Sequence, residues 1–184
     1  MKKSLMFLFV FLLLMPLSPK ADDDLLTRKD VFDFLKGGFE AQVSLSEQLR
    51  TKEEIHNLLE PYFSEKYQNI FWKENIVEEE GKFVTYGSDS AQYYIPFYQF
   101  SKQTKVVMGS EEIYVFEYFP ANTEGPVGYK SHYEGLLLKK INGEWKVDQY
   151  FYQAPPLSIL EKAKKVKKKK RHFFSYLGFK PLLF

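Results

Sequence analysis

The hydrophobic and polar positions change period twice along the chain. An unbroken apolar run, Leu5 to Met15, ends at Pro16. From Phe32 the apolar residues Phe32, Leu35, Phe39 and Val43 recur at helical spacing and lead toward Ser46–Leu49. Thr27-Arg28-Lys29-Asp30 reads as the start of that helix, because the Thr hydroxyl can accept an amide hydrogen three residues on and Asp30 suits the positive end of the dipole. Gly37-Gly38 interrupts the pattern, which implies a close helix contact or a bend. Thr51-Lys52-Glu53-Glu54 is a capping box, followed by Ile55, Leu58 and Leu59 and stopped by Pro61. Ser64 caps a third helix carrying Tyr67, Ile70, Phe71 and Trp72, and Glu78-Glu79-Glu80-Gly81-Lys82 closes the helical part.

Beyond Phe83 aromatic and β-branched residues dominate, so strands are expected at 105–108, 112–119, 130–141 and 144–153. Pro96 limits Tyr93–Tyr98 to an edge strand or an irregular crossing. Asn142-Gly143 is the pair that a two-residue type I′ hairpin turn requires, and it sets a register. Lys140 would face Trp145, Leu138 Val147, Leu136 Gln149, Glu134 Phe151 and His132 Gln153, with Leu137–Asp148, Gly135–Tyr150 and Tyr133–Tyr152 on the opposite side. A slip of one residue would exchange the faces.

Three helices followed by an antiparallel meander make the fold class α+β: three N-terminal helices packed on a curved antiparallel sheet, with a C-terminal basic helix or tail. The helix trio, Tyr62-Phe63, and above all the closing run Leu136–Ile141, Asn142-Gly143, Glu144-Trp145-Lys146-Val147 resemble the nuclear transport factor 2-like superfamily. That resemblance implies a cone-shaped fold with a pocket between sheet and helices, over about Asp30 to Gln153. The same cone serves isomerases, dehydratases, transport adaptors and silent modules, and no motif here matches the isomerase general base or its oxyanion donors. The texture is also similar to small exported proteins of Gram-positive bacteria.

The first segment changes the compartment. Lys2 and Lys3, an apolar stretch too short to span a bilayer, Pro16 and the small Ala21 before Asp22-Asp23-Asp24 are the layout of a secretory leader. The expected organisation is residues 1–21 as signal peptide, 22–155 as one α+β domain and 156–184 as a basic, aromatic-ended tail. Pro19 departs from the usual cleavage preference, so an uncleaved tether is the alternative. The chain has no cysteine, which excludes disulfides, thiolate chemistry and a lipid-modified cysteine.

Charge separates body from tail: residues 22–160 carry 14 Lys and Arg against 23 Asp and Glu, a net of −9, whereas residues 161–184 carry 9 against 1, a net of +8. Lys162, Lys164, Lys165, Lys167, Lys168, Lys169, Lys170 and Arg171, followed by Phe173 and Phe174, suit an anionic membrane surface or wall polymer. An exported compartment disfavours nucleic acid. The alternatives are a solvated tail or a helix docked through Leu157, Leu160, Ala163 and Val166.

Candidate chemistry is sparse. His56, His132 and His172 lie in three different elements with no metal-ligand spacing, so no metal or cofactor is expected. No G-x-S-x-G occurs, Gly87-Ser88-Asp89-Ser90 is an ordinary polar turn, and no catalytic residue is assigned. The one cluster is a pocket face of His132, Glu134, Leu136, Leu138, Trp145, Val147, Gln149 and Phe151, pointing toward the helices. The aromatic density from Tyr86 to Phe119 suits either core packing or stacking on the sugar rings of a wall glycan. Two functions follow: an exported, non-enzymatic module of the cell envelope binding a small apolar ligand or a protein partner, or a lyase or isomerase using a buried carboxylate, with His132 as partner, in the same pocket.

Overall fold

The computed structural model describes residues 26–87, 92–123 and 128–165. The leader, the Ser88–Ser90 turn and the tail from Val166 onward, with Lys167–Arg171, His172, Phe173 and Phe174, lie outside the described residues. Among the described residues the chain is α+β, with four helices and two antiparallel sheets. Helices α1 (Arg28–Ser44), α2 (Lys52–Leu59) and α3 (Glu65–Asn75) precede strands β1 (Ile76–Glu79), β2 (Lys82–Thr85), β3 (Lys105–Met108), β4 (Glu112–Phe119), β5 (His132–Ile141) and β6 (Glu144–Phe151). A last helix, α4, occupies 157–165.

The caps form where the sequence puts them. Thr27 and Asp30 make a reciprocal capping box on α1, Thr51 and Glu54 another on α2, and the Ser64 hydroxyl accepts the Tyr67 amide on α3. The buried stripe of α1, however, is Val31, Leu35, Gly38 and Gln42 rather than Phe32, Leu35, Phe39 and Val43, and the helix stops at Ser44. Two neighbours cause the rotation. At Gly38 a Cβ would lie 2.9 Å from Ile95 and 3.3 Å from Phe63, so the glycine marks a close crossing. Gln42 is fully buried because its amide serves the irregular Pro96 segment, donating to the Tyr93 carbonyl and accepting from the Ile95 amide, both at 2.8 Å. The helix end is held by Arg50, whose guanidinium donates to the Ser44 carbonyl.

A short hairpin, where the sequence pattern shows only the end of the helical part, follows α3. β1 and β2 pair through Glu80 and Gly81, both at positive φ, which is the same turn chemistry as Asn142-Gly143 with glutamate in the first position. The larger sheet has the order β3-β4-β5-β6, all antiparallel, and Tyr62–Ser64 adds a short parallel bridge to the outer edge of β6. The core lies on one face of this sheet. Val31, Leu35, Ile55, Leu59, Tyr67 and Phe71 from the helices, with Phe63, Ile95 and Tyr98 from the connections, meet Ile113, Val115, Leu136, Leu138 and Val147.

The β5–β6 register holds only near the turn. Lys140 faces Trp145 and Leu138 faces Val147, but Asp148 is an extra residue, so Leu137 faces Gln149, Leu136 faces Tyr150 and Gly135 faces Phe151. The bulge sits where β6 also bonds Tyr62 and Ser64 through both main-chain groups of Val147, and its Asp148 carboxylate reaches Lys139 at 3.2 Å. It reverses the parity of everything beyond. The expected pairs Leu136–Gln149, Glu134–Phe151 and His132–Gln153 therefore do not form.

On the opposite face Phe151 joins Val107, Phe116 and Tyr133, and Ile159, Leu160 and Ala163 of α4 pack onto them. Gly135 is bare because the Phe151 ring occupies its Cβ position, 2.1 Å away. Of the stripe expected for a docked C-terminal helix, Leu160 and Ala163 pack, Leu157 is 79 % exposed and Ile159 takes its place.

Candidate functional site

Two places on the helix-facing side of the sheet combine access with chemistry. One lies at the turn end of β5, the other at its start. Between them Leu136 and Val147 are fully buried under the helices, so the middle of the expected pocket is filled by side chains.

At the turn end an open cleft of about 530 Å³ is lined by Leu26, Val31 and Phe34 on one side and by Ile113, Leu138 and Trp145 on the other, with Pro61, Glu60, Gly143 and Glu144 at its margin. Its apolar floor follows from the register: Leu138 and Trp145 share the helix-facing side, while α1 begins at Arg28, so among the described residues only Leu26, Val31 and Phe34 border the space from that side. Two of the margin residues, Glu60 and Glu144, are tied together by Lys146. Its ammonium donates to the Glu60 carbonyl at 2.7 Å, to Glu60 Oε1 at 2.9 Å and to Glu144 Oε2 at 2.9 Å. Burial works against the charge there, but those bonds and the two carboxylates hold the lysine above its ordinary value. It also sits at the carbonyl end of α2, where a cation is favoured.

At the start of β5, His132 and Glu134 project toward the helices with Tyr150, not Gln149, as their partner on β6. Gln149 is exposed on the other face and Phe151 belongs to the α4 cluster. Glu134 accepts from His132 Nε2 through Oε1 and from the Tyr150 hydroxyl through Oε2, each at 2.7 Å, and His132 Nδ1 faces the Lys130 carbonyl at 2.8 Å. Phe119 stacks on the imidazole at 5.6 Å, with Tyr129 edge-on at 5.4 Å. Tyr150 is pushed well above its ordinary value, first by burial and then by its bonds with Tyr152 and Glu134. For His132, burial acts to lower the value, but the Glu134 hydrogen bond, the Lys130 carbonyl and the Glu134 charge together raise it.

A raised histidine sets a direction in pH. The stabilisation it contributes is complete below the unfolded value of about 6.5 and is lost as pH rises through the higher folded value. Urea unfolding near pH 6 and near pH 8.5 should therefore show wild type losing stability relative to His132→Gln; equal losses in both proteins would contradict the pairing.

Neither place gathers metal ligands: among the described residues no three His, Asp or Glu side chains converge. A second carboxylate, Glu117, is 2 % exposed and accepts from the Thr104 hydroxyl at 2.7 Å and the Gln99 amide at 3.1 Å, so it anchors the loop before β3. Nothing in the alternation of β4 distinguishes it as structural.

The model of the family described as protein of unknown function DUF3993 matches residues 27–119. The chain belongs to that family. The DUF3993 match runs from the N-cap of α1 to the last residue of β4. It takes in the α1 and β4 walls of the cleft but neither Trp145 nor the His132–Glu134–Tyr150 group. No curated protein matches the chain. Among the described residues no helix is long and apolar enough to cross a membrane.

Proposed function

We propose that this chain is an exported, non-enzymatic module of the cell envelope that binds a small apolar ligand, or an apolar side chain of a protein partner, in the cleft beside Trp145. The observation that carries the reading is the contrast along β5. Leu136 is sealed under the helices and Glu134 has a partner on each oxygen, whereas the partly exposed Trp145, over the buried Leu138, lines an open cleft of about 530 Å³. Cone-like architecture of the nuclear transport factor 2-like kind is our reading of the fold, supported by three helices laid against a sheet that ends in the Asn142-Gly143 hairpin.

The leader through Ala21 would deliver the protein across the membrane. The basic block Lys162–Arg171 with Phe173 and Phe174 would hold it at an anionic lipid or polymer surface, each cation contributing roughly 1 kcal/mol near such a surface. The competing reading, a lyase or isomerase, would draw on Glu134 with His132 and Tyr150.

A neutral apolar fluorophore, N-phenyl-1-naphthylamine, separates the two. It should bind at one site and quench Trp145. Trp145→Ala and, independently, Phe34→Ala should each weaken binding by about tenfold, and Glu134→Gln should leave it unchanged. Loss of probe binding in Glu134→Gln with retention in Trp145→Ala would overturn the cleft and favour the carboxylate.

A further inference from the structure

At the opposite end of β5 from the cleft, aromatic rings are exposed around a polar pair. Tyr129 is 43 % exposed and Tyr152 is 50 % exposed. Both rings lie against the same imidazole, at 5.4 Å and 6.5 Å from His132, and Tyr152 leans on Tyr150 at 4.6 Å. Singly exposed aromatics are ordinary, but two such rings converging on an ordered hydrogen-bond network are not scattered surface residues. The backbone under Tyr129 is fixed by two 2.9 Å hydrogen bonds with Asn122, and His132 is clamped through both ring nitrogens, so the rings stand on held supports.

We propose that Tyr129 and Tyr152, with Glu134 and His132, form a binding site for a neutral glycan. A sugar ring offers a face of C–H groups that lies against a flat aromatic ring, and hydroxyls at its edge that need acceptors and donors. Tyrosine supplies the flat apolar body with a polar tip. Glu134 supplies acceptors: each of its oxygens takes one hydrogen bond within the protein, and a carboxylate has room for about four. The Glu134 and His132 side chains remain 18 % and 26 % accessible, so hydroxyl groups can reach them. The Glu134 carboxylate, which faces the rings, repels an anionic ligand and leaves a neutral one favoured. An external cation is disfavoured because the imidazole already lies against Phe119 and Tyr129. The site shares no residue with the Trp145 cleft, so it stands or falls separately.

The test is titration of the mature full-length protein with chitotetraose and with cellotetraose, followed by calorimetry. At least one should bind. Tyr152→Ala and Tyr129→Ala should each weaken that binding by about tenfold, Tyr152→Phe should retain it, and Phe97→Ala, an exposed ring elsewhere, should leave it unchanged. Circular dichroism of each variant establishes that it is folded. Failure of the folded wild type to bind either tetrasaccharide, or binding that survives the folded Tyr129→Ala/Tyr152→Ala double variant, overturns the proposal.

Discussion

Leu136→Ala should cost about 3–5 kcal/mol of unfolding free energy, and Leu138→Ala nearer 2–3, although the same atoms are deleted from the same face of the same strand. Leu136 is fully buried between Val115 and Tyr150 on the neighbouring strands, under the helices, so its removal leaves a void that nothing relieves. Leu138 is 1 % exposed but forms the floor of the cleft, where neighbouring Trp145 and Phe34 have room to settle into the space. The cost of a large-to-small change depends on how well its surroundings can collapse. Chemical denaturation of the two variants measures the difference directly, and equal costs would mean that the cleft closes in solution.

The second large effect concerns the C-terminus, where one truncation should destabilise the fold and a slightly later one should not. Ending the chain at Ala154 removes Ile159, Leu160 and Ala163 from Val107, Phe116, Tyr133 and Phe151. Burying an aliphatic side chain contributes about 1.5–3 kcal/mol, so a loss of roughly 2–4 kcal/mol is expected for one nearly buried and one half-buried residue. Ending it at Lys165 keeps α4 and should leave the melting temperature unchanged while abolishing co-sedimentation with phosphatidylglycerol vesicles. That binding should also fade as salt rises, since screening at 0.1 M acts over about 10 Å. If the Lys165 truncation sediments like the full chain, Lys167–Arg171 and the aromatic end are not the surface anchor; if it melts like the Ala154 truncation, residues beyond Lys165 belong to the folded body.

The elements that could be read from the chain are those whose signals are local. Caps at Thr27, Thr51 and Ser64 and the Asn142-Gly143 turn depend on groups within a few residues, and each forms as expected. What failed depends on remote partners. The face of α1 is set by Gln42 meeting Tyr93 and Ile95 about fifty residues away, and a buried glutamine carries no apolar mark in the sequence. The bulge at Asp148 is tied to the bridge from Tyr62–Ser64, which no strand alternation announces, and it moved Gln149 and Phe151 to the far face and brought in Tyr150. The Glu80-Gly81 turn carried a usable signal, a glycine between two short β-branched stretches, masked by three consecutive glutamates. Of the pocket face, the structure brings His132 together with Glu134, and Leu138 with Trp145, but at opposite ends of β5, with a packed core between them.

The proposed binding of an apolar partner at the Trp145 cleft is tested most directly by mapping the amide and indole shifts of isotope-labelled residues 22–184 as N-phenyl-1-naphthylamine is added. Trp145, Gly143, Val31 and Phe34 should move together and saturably, while Glu134, Tyr150 and Tyr152 stay in place. Shifts centred on Glu134 and Tyr150, or none at the Trp145 indole, would contradict it.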